Sequence, residues 1–175
     1  FSQIFTQTGA VGGATFTTAS TLPTGLSLST GGVLSGTPTQ NGTFPIVVTV
    51  TDGNGCTGTS ATYNLVINCQ TITVTPASIP NGVAGVAYAT QNFGQTGGLG
   101  TVTYSLFAGT LPTGLTLTGA GVLSGTPTQT GTFSITVRAT DQNGCTGDRP
   151  LTFTINCNTV TVTAPASLAN GTVGT

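Results

Sequence analysis

Apolar and polar residues alternate one by one along several stretches of the chain. Phe44, Ile46, Val48 and Val50 share one face of the segment 44–51. Phe133, Ile135, Val137 and Ala139 share one face of 133–140, with Ser134, Thr136 and Arg138 opposite. Tyr63, Leu65 and Ile67 alternate within 59–69, as Leu151, Phe153 and Ile155 do within 151–157. Successive side chains of a strand point to opposite sides of the pleat, so this period of two predicts four strands with the named residues inward. DGNG (52–55) and DQNG (141–144) lie between the members of each pair and tolerate positive φ, so each pair reads as a hairpin. TVTYSLF (101–107) predicts another strand, and LPTGLSL and GGVLSGTP predict short ones separated by Pro and Gly turns.

The same patterns occur twice. Residues 22–56 and 111–145 match at 25 of 35 positions without a gap. YNLVINC (63–69) then answers to FTINC (153–157), and TVTPASIPNG (73–82) to TVTAPASLANG (161–171). A unit of about 88 residues with some seven short strands has the size of one Ig-like β-sandwich. The predicted fold is all-β, as tandem immunoglobulin-like β-sandwich domains. The phase of the repeat is uneven. The second copy opens with TITVTPASIPNGVAGVAYATQ from Thr71, whereas the first starts at Phe1 and matches only the part from Tyr88 onward. The missing stretch reappears as TVTVTAPASLANGTVGT (159–175). The expected organisation is therefore a sandwich lacking its first strand over 1–69, a complete one over 70–157, and the first strand segment of a following domain over 158–175. Such phasing fits two periods of a continuing array, or subunits that exchange a strand head to tail; a chance coincidence of phase is the plain alternative.

Composition narrows the chemistry. Five residues carry charge (Asp52, Asp141, Asp148, Arg138 and Arg149), against roughly forty Thr and 27 Gly, with no Lys, Glu, His, Met or Trp. No basic cluster exists to attract nucleic acid or an anionic membrane. Without His or Glu, most metal sites and acid–base machinery have no parts, so neither a cofactor nor an enzyme activity is expected. Disorder is not expected either, because 37% of the residues are apolar and patterned, with a net charge of −1. No run of 18 apolar residues appears, so no membrane insertion is expected. FSQIFTQTGA is not expected to be a signal peptide, and the absence of an initiator Met is expected of a processed chain or a segment of a longer one.

The order Leu22-Pro23-Thr24-Gly25-Leu26, then Gly32-Val33-Leu34-Ser35-Gly36-Thr37-Pro38, then G-T-F and a T-D-x-N-G-C hairpin recurs at 111–115 and 121–127. It resembles the tandem bacterial Ig (immunoglobulin-like) domain repeats of secreted and surface proteins, across essentially the whole chain. The resemblance implies a spacer, stalk or adhesive array, or a module beside a catalytic domain, and it carries no functional residues, because the motif positions are structural.

Cys56 and Cys145 follow the hairpin turns, while Cys69 and Cys157 end the last strands. With no C-x-x-C and no His, zinc is not expected. Disulfides suit a secreted chain. Pairing within each copy (56–69, 145–157) meets a difficulty. Ten residues of regular strand span about 33 Å, and a disulfide needs Cα atoms within about 7 Å. The favoured arrangement is an interdomain bond Cys69–Cys145, with Cys56 and Cys157 bonding neighbouring units; free thiols would suit a cytosolic protein.

Other candidates have simpler readings. Asp52 and Asp141 could suggest calcium, but one acid per copy is too few, and an Asx turn suffices. A glycosidase pair of Asp141 and Asp148 lacks a cleft, and Gly97-Gly98-Leu99-Gly100 lacks the Lys of a phosphate loop. Tyr104, Phe107 and Phe16 could stack on sugars, but aromatic residues on alternating strands are mostly core. Asn41 and Asn170 begin N-G-T sequons and are candidate glycosylation sites, or simply turn residues. The expected function is a structural repeat unit of an extracellular filament, stalk or surface fibre, secreted or at the cell surface. Its expected partners are copies of itself head to tail, and glycans. An adhesive or carbohydrate-binding module of a larger surface protein is the alternative.

Overall fold

Every regular element in the computed structural model is a β-strand; the structure describes residues 1–163, Ser167 and Gly174. Eight strands come from the first repeat: β1 (Ser2–Ile4), β2 (Thr15–Thr17), β3 (Leu26–Leu28), β4 (Val33–Gly36), β5 (Gly42–Ile46), β6 (Thr49–Thr51), β7 (Thr57–Thr59) and β8 (Tyr63–Ile67). Nine follow: β9 (Thr73–Thr75), β10 (Gly82–Val83), β11 (Gln91–Asn92), β12 (Gly94–Thr96), β13 (Thr103–Ala108), β14 (Leu115–Leu117), β15 (Val122–Gly125), β16 (Gly131–Thr140) and β17 (Thr146–Asn156). Cα proximity groups them into two compact units. One contains Phe1–Val74, Gln95–Thr103 and Ala139–Asp148; the other contains Thr75–Gly94, Tyr104–Arg138 and the chain from Arg149.

The first repeat forms sheets in the orders β1-β4-β3, β2-β6-β7 and β5-β8. Phe16 lies opposite Val50 and Leu28 opposite Leu34, and β5 runs antiparallel to β8 from Gly42–Ile67 to Ile46–Tyr63. Phe16, Leu26, Leu34, Ile46 and Val48 are the buried centre of this packing. The L-P-x-G-L motif makes its own turn in both copies. Leu26 N–H donates to Pro23 O and Leu115 N–H to Pro112 O, both at 3.0 Å. Pro23 and Pro112 are fully buried. Gly25 has φ +91° and sits against the carbonyl of Thr37, so a side chain there would collide with backbone.

The second repeat contributes the sheet β10-β17-β16-β13 and the smaller β11-β15-β14. Leu151, Phe153 and Ile155 are only 4%, 2% and 1% exposed, and Phe153 packs its ring 6.0 Å from both Tyr88 and Phe133. On the opposite face, Thr132 pairs with Thr154 and Ser134 with Thr152 through hydroxyls 3.2 Å apart.

Two expectations for the first repeat need correction. The predicted strands 44–51 and 59–69 are each interrupted, whereas β16 and β17 run without a break. The first copy holds one more residue between its hairpin Cys and its strand-end Cys (13 steps from Cys56 to Cys69, 12 from Cys145 to Cys157), and a period of two cannot absorb an odd insertion without a bulge. Serine hydroxyls take up the displaced ladder donors: Val47 N–H donates to Ser20 Oγ at 2.9 Å and Val48 N–H to Ser60 Oγ at 3.0 Å. Tyr63, Leu65 and Ile67, expected inward, are not enclosed: Tyr63 is half exposed, and Leu65 and Ile67 are partly covered. The same strand position therefore has different energetic weight in the two copies. Phe153→Ala should cost about 3–5 kcal/mol, and the equivalent Leu65→Ala clearly less, as read by denaturant midpoints.

Candidate functional site

Two turns of identical design carry half of the cysteines. In the first, Asp52 Oδ1 accepts N–H bonds from Asn54 and Cys56, both at 2.9 Å, and its Oδ2 accepts one from Val11 at 3.2 Å. In the second, Asp141 Oδ1 accepts from Asn143 and Cys145, both at 2.9 Å, and Oδ2 from Leu99 at 3.0 Å. The Cys carbonyl closes each ring by accepting from the Asp N–H at 2.9 Å. Donors aimed at a carboxylate favour its charged form. Asp52 is accordingly held below the ordinary carboxylate value, chiefly by the N–H groups of Cys56 and Val11. Asp141 is lowered chiefly by Leu99 N–H, with burial opposing. With their oxygens committed to backbone, both acids fix a loop and position a cysteine.

Cys145 is buried and bonded to Cys69, with an S–S distance of 2.12 Å, χ3 of −80° and Cα atoms 5.6 Å apart. The bond spans 76 residues. Closing a loop of that length removes about 4.5 kcal/mol of unfolded-chain entropy in the simplest account. Asn143 Nδ2 donates to Thr39 O at 2.7 Å, and Asn41 Nδ2 to Cys69 Sγ at 3.3 Å. Asn41, a sequon residue, is therefore turned toward the disulfide. Asn170, the other, lies outside the described residues, as does most of 158–175. Cys56 and Cys157 are exposed free thiols.

The remaining sequence candidates are placed as follows. Among the described residues, no three His, Cys, Asp or Glu come together as a metal site. The Gly97–Gly100 amides are not a phosphate cradle, because Gly98 N–H donates to Gln95 Oε1 and Leu99 N–H to Asp141. Phe16 is core, Tyr104 is half-buried, and Phe107 is exposed with the Arg138 guanidinium 3.3 Å above its ring. These three do not form one stacking platform. No described helix is long and apolar enough to cross a membrane.

A feature that strand patterning did not reveal is a trough on the first repeat. Three hollows of about 170, 220 and 440 Å³ follow one another, the first two sharing Val50 and Gly58 and the last two Phe5, Thr6 and Tyr63. The trough begins beside Cys56 and ends at Phe1 and Ile4. Its signal in the sequence is the pair Gly9 and Gly58, which answer to Gly97 and Gly147 of the second copy.

Comparison with known proteins adds three findings. A family model described as Putative Ig domain matches twice in tandem, over residues 1–68 and 70–156. The Serine-rich adhesin for platelets of Staphylococcus aureus strain MRSA252 is 34% identical over 149 residues, covering 81% of this chain and 10% of the adhesin. The chain thus spans about a tenth of that relative's length. Among solved structures, Drosophila N-cadherin EC1-4 is similar at a TM-score of 0.40 and 14% identity, over 87% of this chain and 44% of that one.

The turns yield two predictions. Cys145→Ser should lower stability by about 2–5 kcal/mol at neutral pH, measured by calorimetry on oxidised protein. Because the native state favours ionised Asp52 and Asp141, their stabilisation is complete above the ordinary carboxylate value of about pH 4 and fades as pH falls through the lowered native values. The melting temperature should hold level between about pH 8 and 5 and then drop. In Asp141→Asn it should start lower and show a shallower acid limb; a fall already present near neutral pH would contradict the assignment.

Proposed function

The chain belongs to the Putative Ig domain family, and from that premise we propose that it is a structural repeat unit of an extracellular filament, stalk or surface fibre built head to tail from Ig-like domains. The observation that carries the reading is the equivalence of its four cysteines. Cys69, at a strand end, is bonded to Cys145, after an Asp-held turn. Cys157 and Cys56 occupy the same two positions one repeat further out, and both are exposed and free. The Cys56 turn is already shaped like the Cys145 turn by the same carboxylate bonds. In this reading Cys157 of one unit bonds Cys56 of the next, and a small disulfide of the glutathione type takes up the electrons. The Cys56 thiolate attacks it and releases one thiol; the Cys157 thiolate then displaces the second, so two thiols are oxidised and two are formed.

Catalysis has no place in this reading, and the setting is extracellular, where disulfides persist. Similarity to a staphylococcal adhesin supports the second reading, an adhesive module in a larger surface protein. Denaturing gels after exposure to oxidised glutathione test the first: a reductant-sensitive ladder in whole-chain steps is expected, and it should be absent in Cys56→Ser. If the chain stays at one length while binding glycans or cells, the adhesive reading replaces it.

A further inference from the structure

We infer that the trough on the first repeat is the receptor for residues 159–163 of a second copy of this chain, laid in as the strand segment that the second repeat supplies for itself. The inference rests on the head-to-tail reading above and specifies how copies join.

The second repeat shows the filled arrangement. In its leading segment Ile72, Val74 and Ile79 are 5%, 1% and 8% exposed. Gly82 and Val83 run parallel beside Ile155 and Asn156, and Asn81 Oδ1 accepts the Thr154 N–H at 2.8 Å. Two glycines admit that backbone. A Cβ on Gly97 would strike the carbonyl oxygen of Thr71, and one on Gly147 that of Ile72. The first repeat keeps both glycines, as Gly9 and Gly58, yet a Cβ would meet nothing at Gly9 and only Val50, at 3.6 Å, at Gly58. The same space stands open beside Gly9 and Gly58.

The donor shows the converse. Residues 159–163 read TVTVT against TITVT at 71–75, which makes Val160 and Val162 the counterparts of Ile72 and Val74. Val160 and Val162 are 89% and 92% exposed. An alternating apolar pair that is buried in one copy is bare in the other, and a trough of mixed lining, with Val50, Val48, Phe5 and Phe16 among polar groups, is open. Strand addition to an exposed edge supplies both the backbone ladder and side-chain pockets. The sequence equivalence sets the register, with Val160 and Val162 in the places that Ile72 and Val74 take in the second repeat. It also places Cys157, two residues before the donor segment, where Cys69 stands before Thr71.

The test uses the full chain carrying Cys56→Ser and Cys157→Ser, so that association is read without crosslinks and the Cys69–Cys145 bond is kept. Sedimentation velocity should show oligomers that lengthen with concentration. Val162→Asp spoils the donor, and Gly58→Val fills the trough; each should weaken association at least tenfold, with the thermal melt of the isolated chain unchanged. An equimolar mixture of the two should stop at dimers, because it contains one sound donor and one sound trough. Monomers at every concentration, association indifferent to both variants, or mixtures that grow past dimers would overturn strand donation. The monomer result would leave the crosslinked ladder standing, so the two readings fail separately.

Discussion

A sheet must have its edge and its apolar face covered, and this chain has almost no charge with which to cover either. Lysines and inward-pointing charges are the usual protection of an open edge, and here Asp and Arg together number five. Cover therefore has to come from more backbone. In the second repeat the leading segment provides it, bringing Ile72 and Val74 into the core through space left at Gly97 and Gly147. Gly82 and Val83, further along the same segment, run parallel beside Ile155 and Asn156 and so cover the edge of β17.

Much of this was legible in the sequence, because period-two alternation and turn chemistry are local. The strand faces of 133–140 and 151–157, the Asp-held turns and the L-P-x-G-L corners could be read from neighbouring residues. Alternation identifies which face is apolar, but not whether anything lies against it. Tyr63, Leu65 and Ile67 were therefore expected to be as enclosed as Leu151, Phe153 and Ile155, and they are not. The one-residue surplus in the first copy was visible, yet its effect required knowing that Ser20 and Ser60 would take over the interrupted ladder. The third donor to each carboxylate, Val11 or Leu99, lies 41 or 42 residues away and left no local signal.

The chain has 27 glycines. Most serve turns, where positive φ is sufficient reason. Gly58 and Gly147 do not: each sits within a strand at ordinary φ, where glycine costs order and contributes no packing. At Gly147 the reason is the carbonyl of Ile72 pressed against it. A residue type that looks permissive in a list can thus be the most demanding in a structure.

The hydroxyl pairs across β16 and β17, Thr132 with Thr154 and Ser134 with Thr152, carry a last consequence. Ion pairs on a surface weaken as dissolved salt shortens the range of their attraction to about 10 Å or less. Neutral hydroxyls have no such range to lose. These hydroxyl pairs keep the same strength in rainwater and in brine, so this part of the sheet surface loses nothing as the salinity of its surroundings changes.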